Sequence, residues 1–99
     1  MSNFTHEEKT AVWFKGHIVD GVDGNRFRRD RCGAWMTGSE HGNRNSPYGW
    51  EIDHIVPNGN NDLSNLQPLQ WENNVAKSDG ILTCTVTSSQ MTNVRVAGS

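Results

Sequence analysis

Four tryptophans, Trp13, Trp35, Trp50 and Trp71, are spread through a chain of 99 residues of which only 33% are apolar. This scarcity constrains the fold most. A chain of this length buries about 60–70% of its unfolded surface, which leaves room for one thin core. A tryptophan can bury on the order of 200 Å², so a few of them can anchor what the aliphatic residues are too few to hold. The expectation is one domain over residues 1–99.

Charge and cysteine content narrow the class of protein. A net charge of -2 argues mildly against holding nucleic acid by charge alone. The cations are unevenly placed, however. Arg26, Arg28, Arg29 and Arg31 fall within six residues, Arg44 follows, and only Arg95 is cationic after Lys77. The two cysteines, Cys32 and Cys84, form no CxxC pair and fit a reduced cytosolic protein, with a single Cys32–Cys84 disulfide left open. Residues 1–15 lack the apolar core of a signal peptide, and no stretch approaches the ~20 apolar residues that span a membrane. The chain therefore reads as cytoplasmic.

Local patterns place the elements. Residues 3–15 suit a short helix with Thr5 as its cap, Glu7 and Glu8 in the first turn, and Gly16 as its stop. Residues 25–32 are too charged for a buried strand and read as a helical turn or a solvated arm. Residues 37–49 hold the Gly, Asn, Ser and Pro of a long loop. Residues 50–56 alternate as a strand does, with Trp50, Ile52 and His54 on one side and Glu51, Asp53 and Ile55 on the other. Pro57 ends it and NGNND makes a polar turn. A second strand covers Leu66 to Leu69, bent by Pro68. Residues 70–79 read as a helix ended by Gly80. Residues 81–87 and 92–96 are rich in β-branched types and suit a hairpin, with Cys84 a buried strand residue. These strands are left with two roles, completing the core or forming a dimer edge.

The segment 50–80 is thus strand, turn, strand, helix, with its polar residues on the first strand and the helix. Phosphodiester hydrolysis needs a base that works near neutral pH, which histidine supplies, and charge stabilisation on the leaving oxygen, which a divalent cation supplies. Asp53 and His54 are neighbours on a strand and leave opposite faces. That suits a division between metal binding by Asp53 and water activation by His54. Asn65 follows His54 by eleven residues, and Asn74 follows Asn65 by nine. A helix packed across the strands would bring Asp53 and Asn74 to one spot.

The run DHIVPNGNNDLSNLQPLQWENNVAK resembles the HNH endonuclease signature. His54 matches its first letter, Asn65 its central letter, Asn74 its last letter in the H-N-N variant, and Lys77 its trailing lysine. The upstream DRCGAWMTGSEHGNRNSPYGWEIDHI is similar to small stand-alone HNH proteins of bacteria and phages. The resemblance implies an α+β fold: a ββα-metal finger over 50–80, with the N-terminal helix before it and a C-terminal β extension, 81–96, after it. It implies His54 as general base, Asp53 and Asn74 as ligands of one divalent cation, and Asn65 as the brace that orients the histidine. Asn73, beside Asn74, is the alternative ligand. Arg26, Arg28, Arg29, Arg31, Arg44 and Lys77 become the expected contacts to DNA, since arginine grips phosphate bidentately.

Two departures from the signature matter. Many HNH proteins hold a structural zinc with two CxxC pairs. Here Cys32 is all that remains of the first, Trp35 stands at its partner's place, and Gln70 and Asn73 occupy the second. One thiolate cannot build a tetrahedral site, so no structural zinc is expected, with Trp35 and Trp71 packing in its place. An asparagine oxygen in the last position is also a harder ligand than imidazole, which favours Mg²⁺ or Mn²⁺ over Zn²⁺ or Ni²⁺. The expected function is a divalent-metal-dependent endonuclease that nicks DNA, as a monomer or homodimer and away from membranes. The alternatives are a non-catalytic nucleic-acid-binding module of the same shape, or an accessory factor in phage DNA packaging.

Overall fold

The computed structural model describes residues 3–96; residues 1–2 and 97–99 of the expected domain lie outside the described residues. Thr5 starts the first helix, α1 (His6–Trp13), through a reciprocal box: its hydroxyl accepts from the Glu8 backbone N–H, and the Glu8 carboxylate accepts from the Thr5 N–H. Two of the N–H groups that a helix start leaves unpaired are satisfied this way. Three antiparallel pairs follow: β1 (Phe27–Arg29) with β2 (Trp35–Thr37), β3 (Trp50–His54) with β4 (Leu66–Gln70), and β5 (Val86–Ser89) with β6 (Thr92–Arg95). Helix α2 (Trp71–Ala76) leaves directly from the end of β4. The result is a small α+β structure whose elements from β3 to α2 run strand, 3-10 turn (Leu63–Asn65), strand, helix. No helix is long and apolar enough to cross a membrane among the described residues.

An isolated two-stranded pair is marginal in water, so the pairs must be tied to one another. The tryptophans do part of this. Val12, Trp13, Met36, Trp50 and Leu66 form the core, with Phe4 and Ile52 packed against it. Trp13 and Trp50 meet at 5.3 Å between ring centroids. Each indole N–H also reaches a distant carbonyl: Trp13 to Gly24, Trp35 to Gln90, Trp50 to Gly38 and Trp71 to Ser46. The apolar body fills space while the polar edge pins a loop.

The second tie is Asp30, 1% exposed. Its Oδ1 accepts from the Cys32 and Ala34 N–H groups, and its Oδ2 accepts from the Gln70 N–H and the Asn73 Nδ2. Asn73 then donates to the Val86 carbonyl and accepts at Oδ1 from the Thr85 and Val86 N–H groups. Beside this network Cys32 is disulfide-bonded to Cys84. The place that the resemblance gives to zinc ligands is therefore held by a carboxylate, an amide and a disulfide. Trp35 is buried and stacks under the Arg29 guanidinium at 4.7 Å, and the Trp71 indole reaches the long loop. The bridge also overturns the reading of the cysteines as reduced thiols. Disulfides persist in oxidising surroundings, so the cysteines no longer support a cytoplasmic placement.

Four local readings are corrected. The charged stretch 25–32 holds a strand, β1, at Phe27–Arg29, with Arg28, 6% exposed, buried in it. Its guanidinium donates to the carbonyls of Gly24, Phe14 and Gly16 and stacks over the Phe14 ring. The helix expected over 70–79 ends at Ala76, well before Gly80, because Lys77 turns to an extended backbone (φ -67°, ψ 130°). β5 begins only at Val86, because 81–85 runs as a strap whose Cys84 and Thr85 are tied to Cys32 and Asn73. Cys84 is accordingly half-buried and outside any strand.

Candidate active site

The register of β3 and β4 sets Asp53 opposite Gln67 and His54 opposite Leu66. Trp50 and Ile52 turn toward the core, and Glu51 and Asp53 turn toward α2, as the alternation of residues 50–54 predicts. A cleft of about 360 Å³ opens where the end of β3 meets α2 and the following turn. It is lined by Asp53, His54, Asn74 and Lys77 among others. The structure therefore brings Asp53, His54 and Asn74 together.

Asp53 is 8% exposed. Its Oδ2 accepts from the Lys77 ammonium at 2.7 Å and from the Gln67 amide at 2.9 Å. Its Oδ1 has no hydrogen-bond partner among the described residues. Lys77 also donates to the carbonyls of His54 and Ile55, at 2.5 and 3.3 Å. With its side chain 7% exposed, Lys77 is not a DNA contact. It balances the Asp53 charge and closes the end of β3 onto α2.

His54 is half-buried at the last position of β3. Its Nε2 lies 2.6 Å from the Asn61 Oδ1. An amide oxygen only accepts, so Nε2 carries the proton in this pair and the neutral ring keeps its lone pair at Nδ1. Asn65 holds the loop that carries Asn61. Its Oδ1 accepts from the Val56 N–H, and its Nδ2 donates to the Asn60 and Val56 carbonyls. Gly59 is needed for this closure, since a Cβ there would lie 2.5 Å from the Asn65 Nδ2. Asn65 is thus a brace for the loop and touches the cleft only through it.

Asn74 donates through Nδ2 to the Glu51 Oε1 at 2.9 Å, and its Oδ1 has no partner among the described residues. Asn73, the alternative ligand, is 0% exposed and fully engaged with Asp30, Thr85 and Val86. Glu51 is gripped by Arg44 through two bonds, at 2.6 and 2.9 Å. This pairing, more than the amide of Asn74, holds the Glu51 carboxyl below its ordinary value, and it raises the Arg44 guanidinium in turn.

The expected DNA contacts divide. Arg28 faces inward and is unavailable to phosphate. Arg29 lies over Trp35, with its Nε buried and unpartnered. Arg44 is committed to Glu51. Arg26, over the Phe27 ring, and Arg31 are exposed. Sequence reasoning missed Asn61, Gln67 and Asp30. Asn61 carried a faint signal, as one of several amides in the turn after His54.

Among the described residues no group of three or more His, Cys, Asp or Glu side chains gathers to hold a metal. The donors that line the cleft are the carboxylates of Asp53 and Asp79, the amide oxygens of Asn58 and Asn74, and the His54 ring. That set suits a hard cation that keeps several waters, as Mg²⁺ does, and does not suit a closed tetrahedral zinc site. No family model, curated protein or solved structure matches this chain.

Proposed function

We propose that the chain is a divalent-metal-dependent nuclease that nicks DNA, with His54 as general base and Asp53 and Asn74 as the metal ligands. One observation carries the reading. The Asp53 Oδ1, the Asn74 Oδ1 and the His54 Nδ1 have no hydrogen-bond partner among the described residues, and their residues line a single cleft together with Asn58 and Asp79. The other polar atom of each group is engaged: the Asp53 Oδ2 accepts from Lys77 and Gln67, the Asn74 Nδ2 donates to Glu51, and the His54 Nε2 donates to Asn61. The resemblance of residues 53–77 to the HNH signature supports the same assignment.

In this reading the His54 Nδ1 takes a proton from the attacking water. The resulting imidazolium keeps its Nε2–H on the Asn61 Oδ1, so the ring holds its orientation as its charge changes. Asn65 fixes the loop from which Asn61 reaches the ring. Lys77 and Gln67 load one oxygen of Asp53 and leave the other facing the cleft. A divalent cation held there supplies positive charge to the phosphate and its leaving oxygen. Arg26 and Arg31 are the exposed cations that remain to meet phosphate.

The test is conversion of supercoiled plasmid to open circles. Mg²⁺ or Mn²⁺ is expected to support it, chelator to stop it and His54→Ala to abolish it. Equal nicking by His54→Ala, or full activity with Zn²⁺ alone, refutes the assignment. DNA bound but never nicked under any cation supports the non-catalytic binding module instead. Nicking should also weaken as salt rises, because cations that meet phosphates release counterions, and only shallowly, because few cations meet them.

A further inference from the structure

We infer that Glu51 is a positioning residue that fixes which end of the Asn74 amide is presented to the cation. The inference rests on the metal site proposed above and adds a residue to it. A primary amide has two ends of nearly equal size and opposite hydrogen-bonding character. On an open helix face either end can turn toward a cleft, and only the oxygen can bind a cation. Asn74 stands near the end of α2, where nothing in the helix itself decides between them.

Glu51 decides. It sits two residues before Asp53, on the same side of β3, and therefore flanks Asn74. Its Oε1 lies 2.9 Å from the Asn74 Nδ2. A carboxylate accepts and never donates, so it captures the NH₂ end and leaves Oδ1 as the free end. Were the amide reversed, two oxygens would face each other at that distance. The carboxylate is itself immobilised. Arg44 binds both of its oxygens, through Nε to Oε2 and through Nη2 to Oε1. Orientation thus passes from Arg44 to Glu51 to Asn74. Arg44, expected from the sequence to hold phosphate, acts here inside the protein. Partners that orient a ligand in this way are worth about 10–100-fold in metal affinity in other proteins.

The experiment is Mn²⁺ binding to the full chain, measured by the loss of the free-ion electron paramagnetic resonance signal, with thermal melts to confirm folding. Glu51→Ala is expected to weaken Mn²⁺ binding by about 10–100-fold. Asn74→Ala should weaken it similarly, and the double variant should be no worse than Asn74→Ala alone, because Glu51 acts only through that amide. Glu51→Gln keeps one oxygen but turns an NH₂ toward either Arg44 or Asn74, so its loss should fall between none and that of Glu51→Ala. Additive losses in the double variant overturn the inference. So does a Glu51→Gln loss as large as that of Glu51→Ala, which would make Glu51 a mere negative charge near the ion. Unchanged binding in Glu51→Ala, with wild type binding normally, removes Glu51 but leaves the metal site standing. A wild-type chain that takes up no Mn²⁺ removes both.

Discussion

Two buried aspartates meet the two ends of α2, Asp30 at Gln70 and Asn73 and Asp53 at Lys77, and they are engaged differently. Asp30 has both oxygens filled by neutral donors, three backbone N–H groups and one side-chain amide. Asp53, which lines the cleft, has one oxygen filled, by a lysine and a glutamine, and the other without a partner among the described residues. A buried carboxylate whose acceptor sites are used up can only hold a structure together. One that is half used retains capacity for something that arrives later. The region around Asp30 is a clasp, joining the β1–β2 turn, the start of α2 and the strap before β5. The region around Asp53 is the proposed site.

The sharpest way to break this comparison is Asp30→Ala. It strands four donors where water has no access, and we expect a loss of about 3–5 kcal/mol in urea unfolding, near the whole stability of a small domain. A loss under about 1 kcal/mol would make Asp30 an incidental contact. Next comes the disulfide, on the same side of the molecule. Its partners are 52 residues apart, and replacing both cysteines by alanine should cost about 2–4 kcal/mol. Nicking per folded molecule should hardly change, and a proportional fall in both would dissolve the distinction between clasp and site.

His54→Ala should show the opposite pattern. Nicking is expected to fall at least ~100-fold, equivalent to about 2.7 kcal/mol of barrier, with stability within about 0.5 kcal/mol of wild type. The smallest effect is one of pH. Burial places the Asp30 carboxyl above its ordinary 3.8, against the pull of its hydrogen bonds. The folded state therefore holds that proton more tightly than the unfolded state does. Its contribution is present below 3.8 and is lost as pH rises through the folded value. Glu51 is shifted the other way from 4.5, so its contribution is present above that value and is lost as pH falls through its folded value. Melts of Asp30→Asn and Glu51→Gln against wild type across the acid range should yield differences of opposite slope. Parallel slopes would contradict the two environments.

How much of this could be read from the chain follows from the range of the interactions. The Thr5 cap and the alternation of residues 50–54 depend on neighbours within a few positions, and the sequence shows them; the Asn65 brace reaches back to Asn60 and Val56 and came from the resemblance. The burial of Arg28 depends on carbonyls at Phe14 and Gly16, a turn of chain away, and charge alone pointed to the surface. Asn73 and Asn74 are indistinguishable as letters. One is consumed by the clasp and the other opens on the cleft, which only the three-dimensional setting of α2 decides. Asp30 drew no notice because its partners are mostly backbone, and backbone donors leave no mark in a sequence. The merging of 81–85 into a strap was hidden in the same way, behind residues that favour strands.

The Cys32–Cys84 bond has a topological consequence. β3, the His54 loop, β4 and α2 all lie between the two cysteines, so the covalent structure is a closed ring with two tails, and the cleft is built wholly from the ring. A protease that cuts the exposed turn at 57–61 opens the ring without dividing the molecule. The cut protein should run as one piece on a denaturing gel until a reductant is added, and then as two.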